Sequence, residues 1–395
     1  MRPTRIRVKA MTKMWDPLFR FAFNRGKIEL IDERIKELQE LKKRLEAEGM
    51  HPKGHSMISM DLGSSKIVIM KNDKIIIEEP AVIAYMAPTR QVIAVGNEAN
   101  ERCRMQHMKL IHPMKEEEGT DFNCIESLLK GFTTQGESLN KWHKREASNR
   151  KRNALLPTSE IAVGISLNCT YAKRRCIQEA LENIGFKKVH MIPEAIAAAV
   201  GMGMEIQKTR GRMIIDLGGG WSQIAVLSLG GIVVGKTIAV GGDDLTWAIK
   251  KGLQKDFHIG VSLQMAEKIK QDIGAALPIE DTKKYTLRGL HLYTAELLEI
   301  ALTAKDIAQW IDEPLKQIEG GIISVLESIS PELFNDIASD KIVLTGGGAL
   351  LPRIAERLQE KTKIKVTVAD DPLHLVARSV GLALPYEKGF AKDGE

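Results

Sequence analysis

Apolar residues in this chain fall into short runs closed by glycines. Met213-Ile-Ile leads into Asp216-Leu-Gly218-Gly219-Gly220-Trp-Ser222, and a second apolar run, Ile224 to Leu229, follows at once. Two such runs joined by glycines predict a β-hairpin whose turn presents bare backbone N–H groups. The same plan recurs at Met57 to Ser65, where Asp61-Leu62-Gly63-Ser64-Ser65 precedes the run Ile67 to Met70. A third glycine turn, Gly346-Gly347-Gly348, closes the run Ile342 to Thr345.

Around these three stretches the pattern alternates between strands and helices. Lys71 to Lys74 reads as a hairpin turn between Ile67–Met70 and Ile75–Ile77, with strands at 82–85 and 91–95 after Pro80. Residues 97–156 give no clear period apart from a helix at 122–129 and charged turns. A strand is predicted at 160–167, a helix at 171–183 stopped by Gly185, and a strand at 189–192. Pro193 and Glu194 then open a small-residue helix ending near Gly201. The second half predicts a strand at 231–240, helices at 244–256 and 262–272, and a strand around 284–290. Residues 295–328 read as largely helical with an interruption at Pro314. A strand at 341–344, a helix at 351–361, a strand at 364–368 and a helix at 371–384 complete the alternation, which predicts an α/β fold.

The first 56 residues read as an extension. Trp15, Leu18, Phe19 and Phe21, with Lys13 and Arg20 among them, have the composition of a segment lying in a membrane interface. The alternative is a segment packed on its own domain. Ile28, Ile31, Ile35, Leu38 and Leu45 then form a seam at alternating three and four spacings, broken at Lys42. That helix either pairs with a partner or lies against the body. The expected divisions are 1–56, a first lobe at 57–210, a second at 211–384 and a tail at 385–395.

Composition changes this picture little. In 395 residues, 44% hydrophobic and 27% charged side chains are ordinary for a globular protein. The formal charge of +6 is unevenly placed: Arg2 to Lys13 and Lys141 to Arg152 are basic clusters suited to an anionic membrane surface or nucleic acid. Nucleic acid rests on those clusters alone and is set aside. Cys103, Cys124, Cys169 and Cys176 contain no C-x-x-C pair and read as free thiols of a reducing compartment. No apolar run approaches the roughly 18 residues needed to span a bilayer, and no signal peptide is evident.

Glycine turns leave room for an anionic group against backbone N–H donors. An aspartate at the end of each of the first two strands, Asp61 and Asp216, is placed to orient a metal-bound water. Two Asp-Leu-Gly hairpins therefore point to related halves facing one another across a phosphate, with the third turn closing over a nucleoside. Three ordinary tight turns are the bland alternative. Glu194 at a helix start is placed to act on a water or, alternatively, to cap the helix.

Four stretches carry a resemblance: Val226-Leu-Ser-Leu-Gly-Gly-Ile-Val-Val234, Val240-Gly-Gly-Asp-Asp244, Leu344-Thr-Gly-Gly-Gly-Ala-Leu-Leu351 and Val368-Ala-Asp-Asp-Pro-Leu373. With the Asp-Leu-Gly turns, they resemble the actin, heat-shock-70 and sugar-kinase superfamily, and specifically the MreB family of bacterial actins, over about residues 57–384. The resemblance implies two similar lobes around a cleft that binds ATP and Mg²⁺. It assigns the phosphates to Gly63, Ser64 and Ser65 on one side and to Gly218, Gly219 and Gly220 on the other, with Lys66 beside the first turn either touching a phosphate or pointing to solvent. Asp61 and Asp216 would hold the metal through water, and Glu194 would activate the attacking water. Gly242, Asp243, Glu267, Lys270 and Gly346 to Gly348 fall in its remaining nucleotide motifs. It further implies self-assembly into filaments at the inner face of the cell membrane; a membrane or coiled-coil protein partner is the expectation from the 27–47 seam, not from the resemblance. The chain departs from the family pattern at Trp221, where a threonine is usual, at Lys66, where asparagine is usual, and at Pro193. The indole at Trp221 predicts slow hydrolysis; a nucleotide-binding scaffold with little or no hydrolysis is the alternative.

Overall fold

The computed structural model describes residues 57–87, 91–103, 107–115, 122–133, 160–279 and 284–390. By its contacts the chain divides into Met1–Gly54 and His55–Glu395, and all the described residues belong to the second. The membrane candidates Trp15, Leu18, Phe19 and Phe21, the seam at 27–47 and the basic run 141–152 lie outside the described residues.

Strands β1 (Ile58–Leu62), β2 (Lys66–Lys71) and β3 (Lys74–Pro80) form an antiparallel meander. Its second turn uses Asn72 and Asp73, both at positive φ, the conformation a two-residue hairpin requires. β4 (Ile83–Met86), β5 (Val92–Val95) and β6 (Met108–Ile111) form a small sheet of order β5-β4-β6, with α1 (Gly96–Arg102) between β5 and β6. α2 (Phe122–Thr133) follows, and then β7 (Glu160–Ile165) and β8 (Lys188–Pro193) flank α3 (Tyr171–Ile184). Thr170 caps α3 by accepting from Lys173 N–H, and Gly185 ends it at φ 119°. α4 (Glu194–Gly201) begins directly after β8.

The second lobe repeats the plan. β9 (Arg212–Leu217), β10 (Ser222–Ser228) and β11 (Gly231–Ile238) form its antiparallel meander. α5 (Gly242–Phe257) and α6 (Leu263–Ile273) follow, then a hairpin of β12 (Tyr285–Leu290) and β13 (Leu297–Leu302). α7 (Ala304–Trp310), α8 (Asp312–Ser328) and α9 (Pro331–Ala338) lead to β14 (Ile342–Thr345). α10 (Ile354–Thr362), β15 (Val366–Val368) and α11 (Leu375–Ser379) end the lobe, with a 3₁₀ segment Val380–Phe390. The large sheets have the orders β3-β2-β1-β7-β8 and β11-β10-β9-β14-β15. In both, a meander continues into two parallel strands, so the two Asp-Leu-Gly turns occupy equivalent places.

Several expectations need correction. Residues 297–302 form a strand where a helix was expected, because Leu297 to Leu302 pair with β12 and bury Leu302 completely. The helical stretch then breaks at Ile311, and Pro314 sits in the first turn of α8, where its missing N–H costs nothing. The third glycine turn opens into a 3₁₀ turn, Gly347–Leu350, with no returning strand. Helix 371–384 is instead the short α11 and the 3₁₀ segment containing Pro385.

Each lobe has its own core, and a third cluster lies between the sheets. That cluster joins the alanines of α4 to Ile214 and Leu227 from the second sheet, to Ala162 and Ile192 from the first, and to Val376, Val380 and Ala383. The small side chains of α4 let both sheets approach it closely.

Candidate functional site

The three glycine turns meet at the edge between the large sheets. β9 delivers Asp216 opposite Gln223 of β10, and β1 delivers Asp61 opposite Val68 of β2. The turn 241–243 packs on 218–220 through backbone bonds: Gly242 N–H donates to Gly218 C=O at 2.9 Å and Asp243 N–H to Gly219 C=O at 2.8 Å. A Cβ at Gly241 would collide with the Gly219 carbonyl, so only glycine allows this approach. Gly346 has φ 82° and lies where a Cβ would strike Asp216 Oδ1, which brings the third turn against the strand end that opens the second.

Contacts across the cleft join the turns directly. Gly220 N–H donates to Ser64 Oγ at 2.9 Å, and Ser65 Oγ donates to Asp243 Oδ2 at 2.8 Å. Lys115 Nζ reaches the same Asp243 Oδ2 at 2.6 Å. Behind Gly242, Lys270 Nζ donates to Gly242 C=O at 2.7 Å and pairs with Glu267, and Thr246 Oγ1 donates to Glu267 Oε2. Glu267 and Lys270 are therefore brought to the glycine turns, together with Thr246. Lys66 is not: its ammonium is held by Glu78 at 2.7 Å. Trp221 stands beside Lys173, whose ammonium is 5.8 Å from the indole ring centre and donates to Met114 C=O.

Three carboxylates share this region. Glu194 and Asp216 are buried, and Asp61 keeps some exposure. Burial, and then the Asp216 charge, pushes Asp61 up to about 7. Burial alone pushes Asp216 up to about 6. Glu194 is raised well above the usual carboxylate range by burial, then by Asp61 and Asp216. Gln223 opposes that rise by donating Nε2–H to Glu194 Oε2. The Gln223 amide is itself fixed, because its Oε1 accepts from Leu167 N–H at 2.6 Å. The Glu194 carboxylate is thus engaged by Gln223, and no side-chain cap closes α4.

None of the three carboxylates pairs with a lysine or arginine among the described residues. Nor do any three acidic, histidine or cysteine side chains there form a direct chelating group. Neighbouring carboxyl groups that raise one another's pKa and lack a cationic partner fit a hydrated divalent cation such as Mg²⁺, which tends to keep its water.

Residues 55–391 match the MreB/Mbl protein family. The chain belongs to that family. It is similar to the cell shape-determining protein MreB of Escherichia coli K12, with 33% identity over 334 residues, covering 83% of this chain and 92% of that protein. It is similar also to the cell shape-determining protein Mbl of Bacillus subtilis 168, at 31% over 331 residues and 83% and 95% coverage. Among solved structures, MreB5 of Spiroplasma citri bound to AMPPNP superimposes with a TM-score of 0.73 at 24% identity, covering 85% of this chain and 98% of that one. A MamK double helical filament subunit superimposes with a TM-score of 0.63 at 17% identity, over 83% and 98%. These two share the fold. This MreB/Mbl chain is an actin-like ATPase of the bacterial cytoskeleton, as its family membership carries.

Three polar residues of the site escaped the motif reading: Lys115, Gln223 and Thr246. Gln223 left a signal, since it is a polar residue inside the buried run of β10. Lys115 lies in a charged turn and Thr246 inside a mixed helix, so neither stands out in sequence.

Proposed function

We propose that this protein binds ATP with Mg²⁺ between its lobes, hydrolyses it slowly, and assembles into filaments on the inner face of an anionic membrane. One observation carries this reading: three glycine turns converge on Asp61, Asp216 and Glu194 at the junction of two sheets of equivalent topology. Nucleotide-bound MreB5 and filamentous MamK share the fold and support it.

Backbone N–H groups of residues 63–65 and 218–220 hold the phosphates. Gly242, Asp243, Glu267, Lys270 and Gly346 to Gly348 line the rest of the nucleotide. Asp61 and Asp216 would hold the metal through water, and the metal would supply charge neutralisation for the phosphates. A cation there would ease the ionisation of Glu194, which burial and the two aspartates oppose, and Glu194, held by the Gln223 amide, would accept a proton from water. Trp221 lacks the hydroxyl of the threonine usual at this place in the family, which keeps turnover slow. The membrane contact falls to Trp15, Leu18, Phe19 and Phe21, weak in one copy and effective in a polymer.

Sedimentation and negative-stain microscopy with ATP and Mg²⁺ on anionic vesicles test the proposal, using the full chain and one lacking residues 1–26. Filaments on vesicles are expected from the full chain, and filaments free of vesicles from the truncation. No ATP-dependent change in polymer state would overturn the filament reading. Trp221 also favours a second reading, a nucleotide-gated scaffold. Filaments that release no phosphate on lipid would favour it.

A further inference from the structure

Among the described residues of the first lobe, Lys115 reaches the second glycine turn and its neighbour Asp243, and no motif assigned it. It follows β6 in a turn where its own N–H donates to His112 C=O at 3.0 Å. The preceding Met114 is buried, and its carbonyl accepts from Lys173 Nζ at 2.7 Å. The backbone at this point is therefore anchored, while the side chain keeps 30% exposure and its freedom to swing. Its stem runs beside the second turn: a Cβ on Gly220 would lie 3.5 Å from Lys115 Cε.

Asp243 holds the far end of this contact. Its own N–H donates to the Gly219 carbonyl, so its backbone is fixed relative to the 218–220 turn. One oxygen, Oδ2, accepts from Ser65 Oγ and Lys115 Nζ together. A hydroxyl from one phosphate turn and an ammonium beside the other are the donors that recognise a phosphate oxygen. The Asp243 carboxylate thus occupies their bonds as an internal anion. A half-exposed pair of this kind is weak in water, so exchanging one anion for another is easy. The end of the site matters too. Gly346 and Gly348 press on Asp216 and Leu217 at the start of the turn, which marks the nucleoside side, whereas Lys115 meets the turn at Gly220.

We infer that Lys115 is a nucleotide-binding residue that leaves Asp243 for the terminal phosphate of a nucleoside triphosphate, so that the cleft distinguishes triphosphate from diphosphate. This rests on the reading of the cleft as an ATP site. Equilibrium binding of ATP and of ADP, each with Mg²⁺, to the full-length chain tests it. Lys115→Ala is expected to weaken ATP binding about tenfold and ADP binding less than about twofold. Lys115→Arg restores most of the ATP affinity, and unchanged circular dichroism shows that both variants fold. Equal weakening for ATP and ADP, or tighter binding of both, would make Lys115 a clasp between lobes and overturn the inference while leaving the ATP site standing. Wild-type protein that bound neither nucleotide would overturn the ATP site and the inference with it.

Discussion

Glu194 sits where burial and two neighbouring carboxylates oppose its ionisation, and a single amide, that of Gln223, works the other way. Glu194→Gln is expected to lower phosphate release by about 10²–10³-fold while ATP affinity changes little, since general-base groups contribute on that scale. Removing the amide with Gln223→Ala raises the Glu194 pKa further. The acidic limb of the rate–pH profile then moves to higher pH; an unmoved limb would remove Glu194 from the role of base. Asp61 carries the second pH effect. Its pKa rises from 3.8 to about 7 on folding, so the folded chain binds this proton more tightly than the unfolded chain. The associated stability is present below pH 3.8 and is lost as pH climbs toward 7. Asp61→Asn is therefore expected to raise the melting temperature of metal-free, nucleotide-free protein at pH 8 and to change it little at pH 4.

At the scale of elements, the site is made of turns whose shape depends on having no side chain. Gly346 combines a positive φ with a position against Asp216 and the Leu217 carbonyl. Gly346→Ala is expected to cost on the order of 1–3 kcal/mol of stability and to weaken nucleotide binding, measured by denaturant unfolding and by titration. The β12–β13 hairpin teaches the converse lesson. Leu297 to Leu302 alternates exposed and half-buried positions, ending on buried Leu302, only because β12 lies beside it, and its alanine and leucines suit a helix equally well. Local preference was overruled there by pairing. Glycine-closed runs such as β9 and β10 leave no such choice, because a helix does not survive three consecutive glycines.

At the largest scale, the body formed by the described residues is tied together by its C-terminal part. Val376, Val380 and Ala383 fill the cluster between the sheets, and Ala377 packs on Val68 and Met70 of the first sheet. The end of the chain thus returns to the lobe where the described fold begins. Residues 57–390 are expected to melt in one cooperative transition, with calorimetric and van't Hoff enthalpies in agreement. Two separate transitions would show that the lobes fold independently of this return.

The sequence by itself determined the two Asp-Leu-Gly hairpins, the third glycine turn, Glu194 at a helix start and the family. Each is a signal carried within a few residues, by glycine's backbone freedom or by apolar spacing. Tertiary structure alone decided that Gln223 holds Glu194, that Thr246 joins Glu267 and Lys270, that Lys66 turns to Glu78, and that Lys115 meets Asp243. The last contact joins residues 128 apart in the chain. Such contacts depend on how two sheets pack about a helix of small side chains, and no local pattern encodes that distance.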